Sequence, residues 1–461
     1  MFLQKSGIAV ELERGIFNYR FLSNIGLLAR IQDKIMMKNG AIGVPPNLDR
    51  RGMASLEEDN NSSYNIDHQK SIRSTIEDGR RLMTFATAAY GISMIDAADI
   101  DVFGTVKSSE ADPVFRSAVT GSSFLLSLKS SLISLEQQKK KTESISTFCD
   151  QYWLLTRVSE HTHIPKEDLY LMNLSDKIGT TLRFFIAVDH TNKAIVLSIR
   201  GSLTVKEIII DIAGFSKPFC GGQAHAEMAN AAEKVWDLGR ETITKLLNEN
   251  QGYELVLTGH SLGAGSAALL NILLHENNSE RVNGRDIRCF AYASPPVFTG
   301  EAKKACKMCV NFIHDSDCVP FLSCDSVRHI FAGLHAIEEC NLSVWTRTRI
   351  LWGSIEAIDP LTIHHVENAL YDNLSVKEGA PVLLIPAHVN IWMKEVAHRL
   401  TVKDANNLTV EALVDLPASS PSNFILADSK KLAHIGISFH PSMITNHFPN
   451  GYESSLYNLR C

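Results

Sequence analysis

The chain has 461 residues, 45% of them hydrophobic, with 45 Lys and Arg against 51 Asp and Glu for a formal net charge of −6. That balance belongs to a globular protein with enough apolar residues for a sizeable core, and it excludes a disordered, fibrous or strongly basic nucleic-acid-binding chain. No stretch of the length needed to span a bilayer is both free of charge and predominantly apolar, so no transmembrane segment is expected. The first residues, MFLQKSGIAVELER, reach Glu11 and Glu13 before any apolar signal-like run, and the nine cysteines are an odd number. Both features predict a reducing, cytoplasmic compartment.

Residues 1–70 form a weakly patterned lead segment, and within 40–75 the Asn, Ser, Asp and Gly content predicts a linker or irregular arm. From Ser71 to Ala89 the apolar positions Ile72, Ile76, Met83, Ala86 and, just beyond, Tyr90 recur at helical spacing. The run Gln137 to Glu143 reads as a solvated helix end or connector. Thr181 to Val188, a polar turn, and Ala194 to Ile199 read as a hairpin with buried faces. There follow a helix over 223–248, a strand over 254–257, a helix over 262–274, a strand over 287–292, a helix over 300–308 and a strand over 310–313. Such alternation predicts an α/β fold with a mostly parallel central sheet and helices on both faces. After Asp325 the pattern loosens, with short strands expected near Val382–Ile385 and Phe424–Leu426. The expected organisation is the lead of 1–70, then one domain over 71–461.

The sharpest chemical feature is Gly259-His260-Ser261-Leu262-Gly263, set between the apolar strand YELVLT and the small-residue helix AGSAALLNILL. A nucleophilic serine in a strand-to-helix corner needs Gly259 and Gly263, because side chains there would collide with neighbouring backbone. The helix N-terminus places free N–H groups beside the serine, and the N–H of Leu262 is the natural first oxyanion donor. Arg200-Gly201-Ser202-Leu203, past the strand 194–199, is a turn able to aim a second donor, although the tetrapeptide alone is a generic turn. The acid should end a later strand, and the strand 310–313 runs into His314-Asp315-Ser316-Asp317, which offers Asp315 and Asp317. The base should lie on a loop after the last strand, where His434, His440 and His447 all qualify. Cys306, Cys309, Cys318 and Cys324 fit no common zinc spacing and read as small buried hydrophobes. No metal site is expected.

Several of these motifs, taken together, resemble the class 3 lipase family, most of all its diacylglycerol lipase branch. They are Ile199-Arg200-Gly201-Ser202-Leu203, Asp211, Ala224-His225-Ala226-Glu227-Met228 and Thr258 to Gly265, with Ala88-Ala89-Tyr90-Gly91 and Val188-Asp189-His190 as lead-in. The resemblance implies an α/β-hydrolase fold with a Ser-Asp-His triad acting on glycerolipid esters, and Ser202 as the second oxyanion contact. It implies Asp317 as the acid, from its Asp-x-Val-Pro context, and His447 as the base, from the similarity of Ser442 to Pro449 to the branch's Met-x-x-Asp-His-x-Pro ending. The chain departs from the branch at Ser202 in place of Thr, Glu207 in place of Asp, Glu227 in place of Gly and Asn446 in place of Asp.

The expected activity is that of an sn-1-specific diacylglycerol lipase-like enzyme, releasing monoacylglycerol and fatty acid through an acyl-enzyme. A triacylglycerol lipase, a phospholipase or a non-catalytic lipid-binding scaffold of the same fold are the alternatives. No cofactor is required, and calcium dependence stays open. The expected partner is a glycerolipid at a membrane or lipid-droplet surface, with no nucleic acid, and the protein is expected to be peripherally membrane-associated. The stretch between Asp317 and His447 exceeds what one helix and one strand need. Over about 325–420 it reads as an insertion in which Trp345 and Trp352 either complete the core or form a lid.

Overall fold

A computed structural model describes residues 19–38, 64–95, 148–172, 183–201, 216–299, 305–371, 383–393, 398–403, 409–414 and 424–459, with short interruptions inside these ranges. Ser202, Glu207, Asp211, His434, His440 and the run 137–143 lie outside the described residues.

In chain order the elements begin with helices α1 (Tyr19–Lys38), α2 (Tyr64–Ala88) and α3 (Phe148–Thr162). Strands β1 (Leu169–Met172), β2 (Phe184–Asp189), β3 (Ala194–Ile199), β4 (Ser216–Phe219) and β5 (Gly222–His225) come next. The alternating part comprises α4 (Ala226–Glu249), β6 (Glu254–His260), α5 (Leu262–Glu276), β7 (Ile287–Tyr292) and β8 (Cys309–His314). Then come α6 (Cys324–Glu339), α7 (Val344–Trp352), α8 (Pro360–Tyr371), β9 (Val389–Met393), β10 (His398–Lys403), β11 (Thr409–Val414), β12 (Phe424–Ala427) and α9 (Pro449–Asn458).

Eight strands form one sheet in the order β1-β2-β3-β6-β7-β8-β9-β12. The run β3-β6-β7-β8-β9 is parallel, and the two edges are antiparallel. Central strands of such a sheet are apolar on both faces, and these are: Ile195, Leu197 and Ile199 of β3 join one core cluster while Ala194 and Val196 join another. The first cluster lies under α4 and α5, through Met228, Ala232, Trp236 and Leu269. The second lies under α2, α3 and α9, through Leu82, Phe85, Val158 and Tyr452. Helix α4 buries Met228, Ala232, Val235, Gly239, Ile243 and Leu246, the stripe of an amphipathic helix. Helix α5 is buried over Leu262–Leu274 on every side, and its small residues let it press against the strand ends.

This is the α/β-hydrolase architecture, as expected, with differences that have local causes. Residues 223–225 belong to β5 rather than to the following helix. The two-residue turn Cys220-Gly221, at φ 43° and 76°, is the left-handed kind that closes a β-hairpin, so β4 and β5 pair up to Gly222. The expected strand 382–385 is reduced to a bridge between Leu384 and Phe298, and the next sheet strand is β9. Thus the expected insertion over 325–420 is interrupted by a strand of the central sheet. Most of the expected helix 300–308 lies outside the described residues.

A third cluster joins α1 of the lead segment to α6, α7 and α8, through Leu27, Leu28, Ile31, Ile337, Ile350 and Val366. Met443, four residues before His447, packs against the same cluster. This helical cap therefore adjoins the segment that leads into the site.

Candidate active site

Ser261 stands between β6 and α5 with φ +60°, a left-handed conformation that an L side chain adopts at a cost. The turn is pinned by the Ser261 N–H donating to the Tyr292 carbonyl at 2.8 Å and by the Ser261 carbonyl accepting from Ala264 N–H at 2.9 Å and Gly265 N–H at 3.1 Å. Gly259 and Gly263 are there for lack of room. A Cβ on Gly263 would sit 2.2 Å from the Ile199 carbonyl oxygen, and one on Gly259 would sit 2.6 Å from the Gly263 backbone. Leu262 opens α5, so its N–H belongs to the first turn, where backbone donors gather.

Asp317 lies just beyond β8 and is fully buried. Its carboxylate accepts from Val319 N–H at 2.9 Å and from the Tyr452 hydroxyl at 2.6 Å. His447, in a short turn Thr445–His447 ahead of α9, puts Nδ1 at 3.0 Å from both Asp317 oxygens. With Nδ1–H donating to the carboxylate, Nε2 accepts the Ser261 hydroxyl at 2.9 Å. The three residues form one buried hydrogen-bonded chain, from serine through imidazole to carboxylate.

The second aspartate, Asp315, is engaged elsewhere. Asn446 Nδ2 donates to Asp315 Oδ2 at 3.0 Å and to Ser316 Oγ at 2.9 Å, and the Asn446 carbonyl lies 3.0 Å from His314 Nδ1. The residue that departs from the branch pattern thus ties the loop before His447 to the loop before Asp317. Glu227 is exposed in the first turn of α4, where its charge suits the helix dipole, and His225 is buried at the N-cap of that helix. Cys289, Cys309 and Cys318 are free, and burial pushes the Cys318 thiol far above its usual range. Among the described residues no group of three or more His, Cys, Asp or Glu is placed to hold a metal, and no helix is long and apolar enough to cross a membrane.

Two residues at the site escaped the sequence reading. Tyr452 is buried in α9 against Asp317, and its hydroxyl also accepts the His314 N–H at 3.1 Å. Burial first, and the Asp317 charge second, hold its phenol well above its usual pKa, so it remains a donor. His260 is buried beside Ser261, with its ring centroid 4.8 Å from that of His447. Burial, and after it the neighbouring His447, hold His260 well below its usual pKa, so it is neutral. A tyrosine in an unremarkable C-terminal helix carries no signal. The histidine inside the pentapeptide is visible, but its partners come from three other parts of the chain.

The chain matches the class 3 lipase family over residues 196–326. It is 35% identical over 167 residues to a secreted mono- and diacylglycerol lipase A of Penicillium cyclopium, a match over 34% of this chain and 52% of that protein. It is also 35% identical over 133 residues to human diacylglycerol lipase-alpha, over 24% of this chain and 11% of that protein. The chain thus spans about half the length, or less, of these curated relatives. Among solved structures, lipase II from Rhizopus niveus is similar at 16% identity and a TM-score of 0.34, over 54% of this chain and 75% of that one. The matched region holds the Gly259–Gly263 turn and Asp317, whereas Tyr90, His447 and Tyr452 lie outside it. The similarity to the class 3 lipase family thus covers residues 196–326, less than a third of the chain.

Proposed function

We propose that the protein is a serine hydrolase cleaving fatty-acyl esters of glycerolipids, with diacylglycerol as its substrate. Ser261 Oγ attacks the ester carbonyl while its proton passes to His447 Nε2, and Asp317 holds the resulting imidazolium. The oxyanion is met by the N–H of Leu262 and by Ser202. Collapse expels the alkoxide of the glyceride, which takes the proton from His447. Water, activated by the same histidine, then releases the fatty acid and restores Ser261. No step needs a cofactor.

The observation that carries this reading is the buried chain from Ser261 through His447 to Asp317, with its 2.9 and 3.0 Å contacts, at a left-handed turn opening a helix. A structural serine has no need of strained backbone and a charge-backed imidazole. The choice of diacylglycerol is supported by the names of the relatives, and it makes a lipid surface the place of work. Val344 and Trp345 on α7, each 75% exposed, and Leu361 on α8, 76% exposed, are the apolar groups of the cap that would meet such a surface.

A fluorophosphonate probe tests the chemistry. Labelling of the parent protein, and none of Ser261→Ala, is the expected result. Equal labelling of both, or of neither, contradicts it.

A further inference from the structure

Behind the nucleophile turn a tyrosine from another part of the chain is wedged between that turn and the end of β3. Tyr90 follows α2, is buried, and places its hydroxyl 2.9 Å from Nδ1 of His260 and 3.4 Å from the His260 carbonyl oxygen. On its other side lies Gly201, just beyond the end of β3. A Cβ on Gly201 would stand 2.4 Å from the Tyr90 hydroxyl, 2.4 Å from the His260 carbonyl oxygen and 3.1 Å from Ser261 Cβ. One hydroxyl therefore sets the spacing between the end of β3 and the turn that carries Ser261.

We infer that Tyr90 is a positioning residue, whose hydroxyl locks His260 in a single tautomer and orientation against His447. This rests on the serine-hydrolase reading above. Burial holds the phenol protonated, against the weaker pull of Arg200, and in this lock its proton is directed to Nδ1 of His260 at 2.9 Å rather than to the His260 carbonyl at 3.4 Å. The proton of neutral His260 is then on Nε2, the nitrogen left on the side of the His447 backbone.

The groups facing His260 are Tyr90, which follows α2 and has Arg200 near it, the Gly201 backbone beyond β3, His447, and Tyr452 of α9, whose ring centroid is 5.4 Å away. Asp317 stands behind His447 and supports the charge that His447 takes in each turnover. No carboxylate among the described residues pairs with His260 in the same way. A second imidazolium at a centroid separation of 4.8 Å would oppose protonation of His447. Losing the Tyr90 hydroxyl frees Nδ1 to take that proton.

In Tyr90→Phe the acid limb of the kcat–pH profile should move by about one pH unit or more, with KM little changed. In the Tyr90→Phe/His260→Asn double variant, which has no second titrating ring, the displacement should vanish. A uniform fall in kcat with the limb in place is the mark of a merely structural tyrosine, and it would overturn the inference, as would a displacement that persists in the double variant. Imidazole nitrogen NMR on the Ser261→Ala protein needs neither turnover nor a Tyr90 variant. His260 should appear there as the Nε2–H tautomer alone, and an Nδ1–H or exchanging ring overturns the inference. If no ester is hydrolysed, the serine-hydrolase reading falls, and the NMR result still decides whether Tyr90 locks His260.

Discussion

The hydroxyl of Tyr452 donates to Oδ2 of Asp317 at 2.6 Å, on the carboxylate that also receives Nδ1 of His447 at 3.0 Å. A buried carboxylate needs several donors to remain charged, and this tyrosine supplies one from the helix that follows His447. Helix α9 thereby ties the expected base and acid to each other. Tyr452→Phe keeps the ring but removes the donor and leaves the His314 N–H without its acceptor. It should cost about 2 kcal/mol of stability, read from urea unfolding, and lower kcat roughly tenfold at unchanged KM. Unchanged stability and kcat would show that the contact carries nothing.

His260 makes stability depend on pH. Its folded pKa lies well below the ordinary 6.5, so on acidification the unfolded chain takes up a proton there before the folded one does. The unfolded state then binds more protons, and stability falls as pH drops below about 6.5 until the folded value is reached, by up to about 1.4 kcal/mol per pH unit. Urea midpoints should decline from about pH 7.5 to about pH 5, and His260→Asn should decline less steeply over the same interval. Parallel slopes for the two proteins would place the acid sensitivity elsewhere.

Two glycines should respond in opposite ways to the same added methyl. In Gly263→Ala the Cβ meets backbone, with the Ile199 carbonyl oxygen at 2.2 Å and the Arg200 carbonyl carbon at 2.8 Å, so β3 and α5 must separate. A loss of about 3 kcal/mol or more is expected, together with loss of probe labelling. In Gly239→Ala, in the middle of α4, the nearest atom is Phe184 Cε2 at an ordinary 3.5 Å. There the better helix propensity of Ala should give a gain of up to about 1 kcal/mol. Similar thermal shifts in the two variants would contradict the packing described for the turn.

The exposed edge of α7 should matter only when the substrate is a surface. Trp345→Ala removes a side chain that is 75% exposed and stands outside the core clusters. Activity on diacylglycerol in vesicles should fall about tenfold, while hydrolysis of a soluble short-chain ester should change by less than about twofold. Equal losses on the two substrates would assign the tryptophan a structural role.

The parallel part of the fold is legible because each strand there is a short apolar run and each helix an amphipathic or small-residue stretch, as in β6 and α5. Helix α1 is not legible in that way. Its buried face of Leu27, Leu28 and Ile31 has meaning only against Ile337, Ile350 and Val366, which lie far along the chain. Strand β9 is likewise hidden, since Val389–Met393 is a short run whose role depends on docking against β8. At the site, spacing alone leaves Asp315 beside Asp317 and three histidines as bases. Geometry sets Asp317 against His447 and occupies Asp315 with Asn446, a distinction that depends on two loops meeting in space. Tyr90, His260 and Tyr452 show the same limit, for each finds its partner across a fold boundary that no local pattern marks.

Ester cleavage at Ser261 is read out by the release of fatty acid and monoacylglycerol from diacylglycerol vesicles by the parent protein and by Ser261→Ala. The parent should release both products, and Ser261→Ala should be slower by about a thousandfold or more. No release by the parent, or release by Ser261→Ala at the parent's rate, would contradict it.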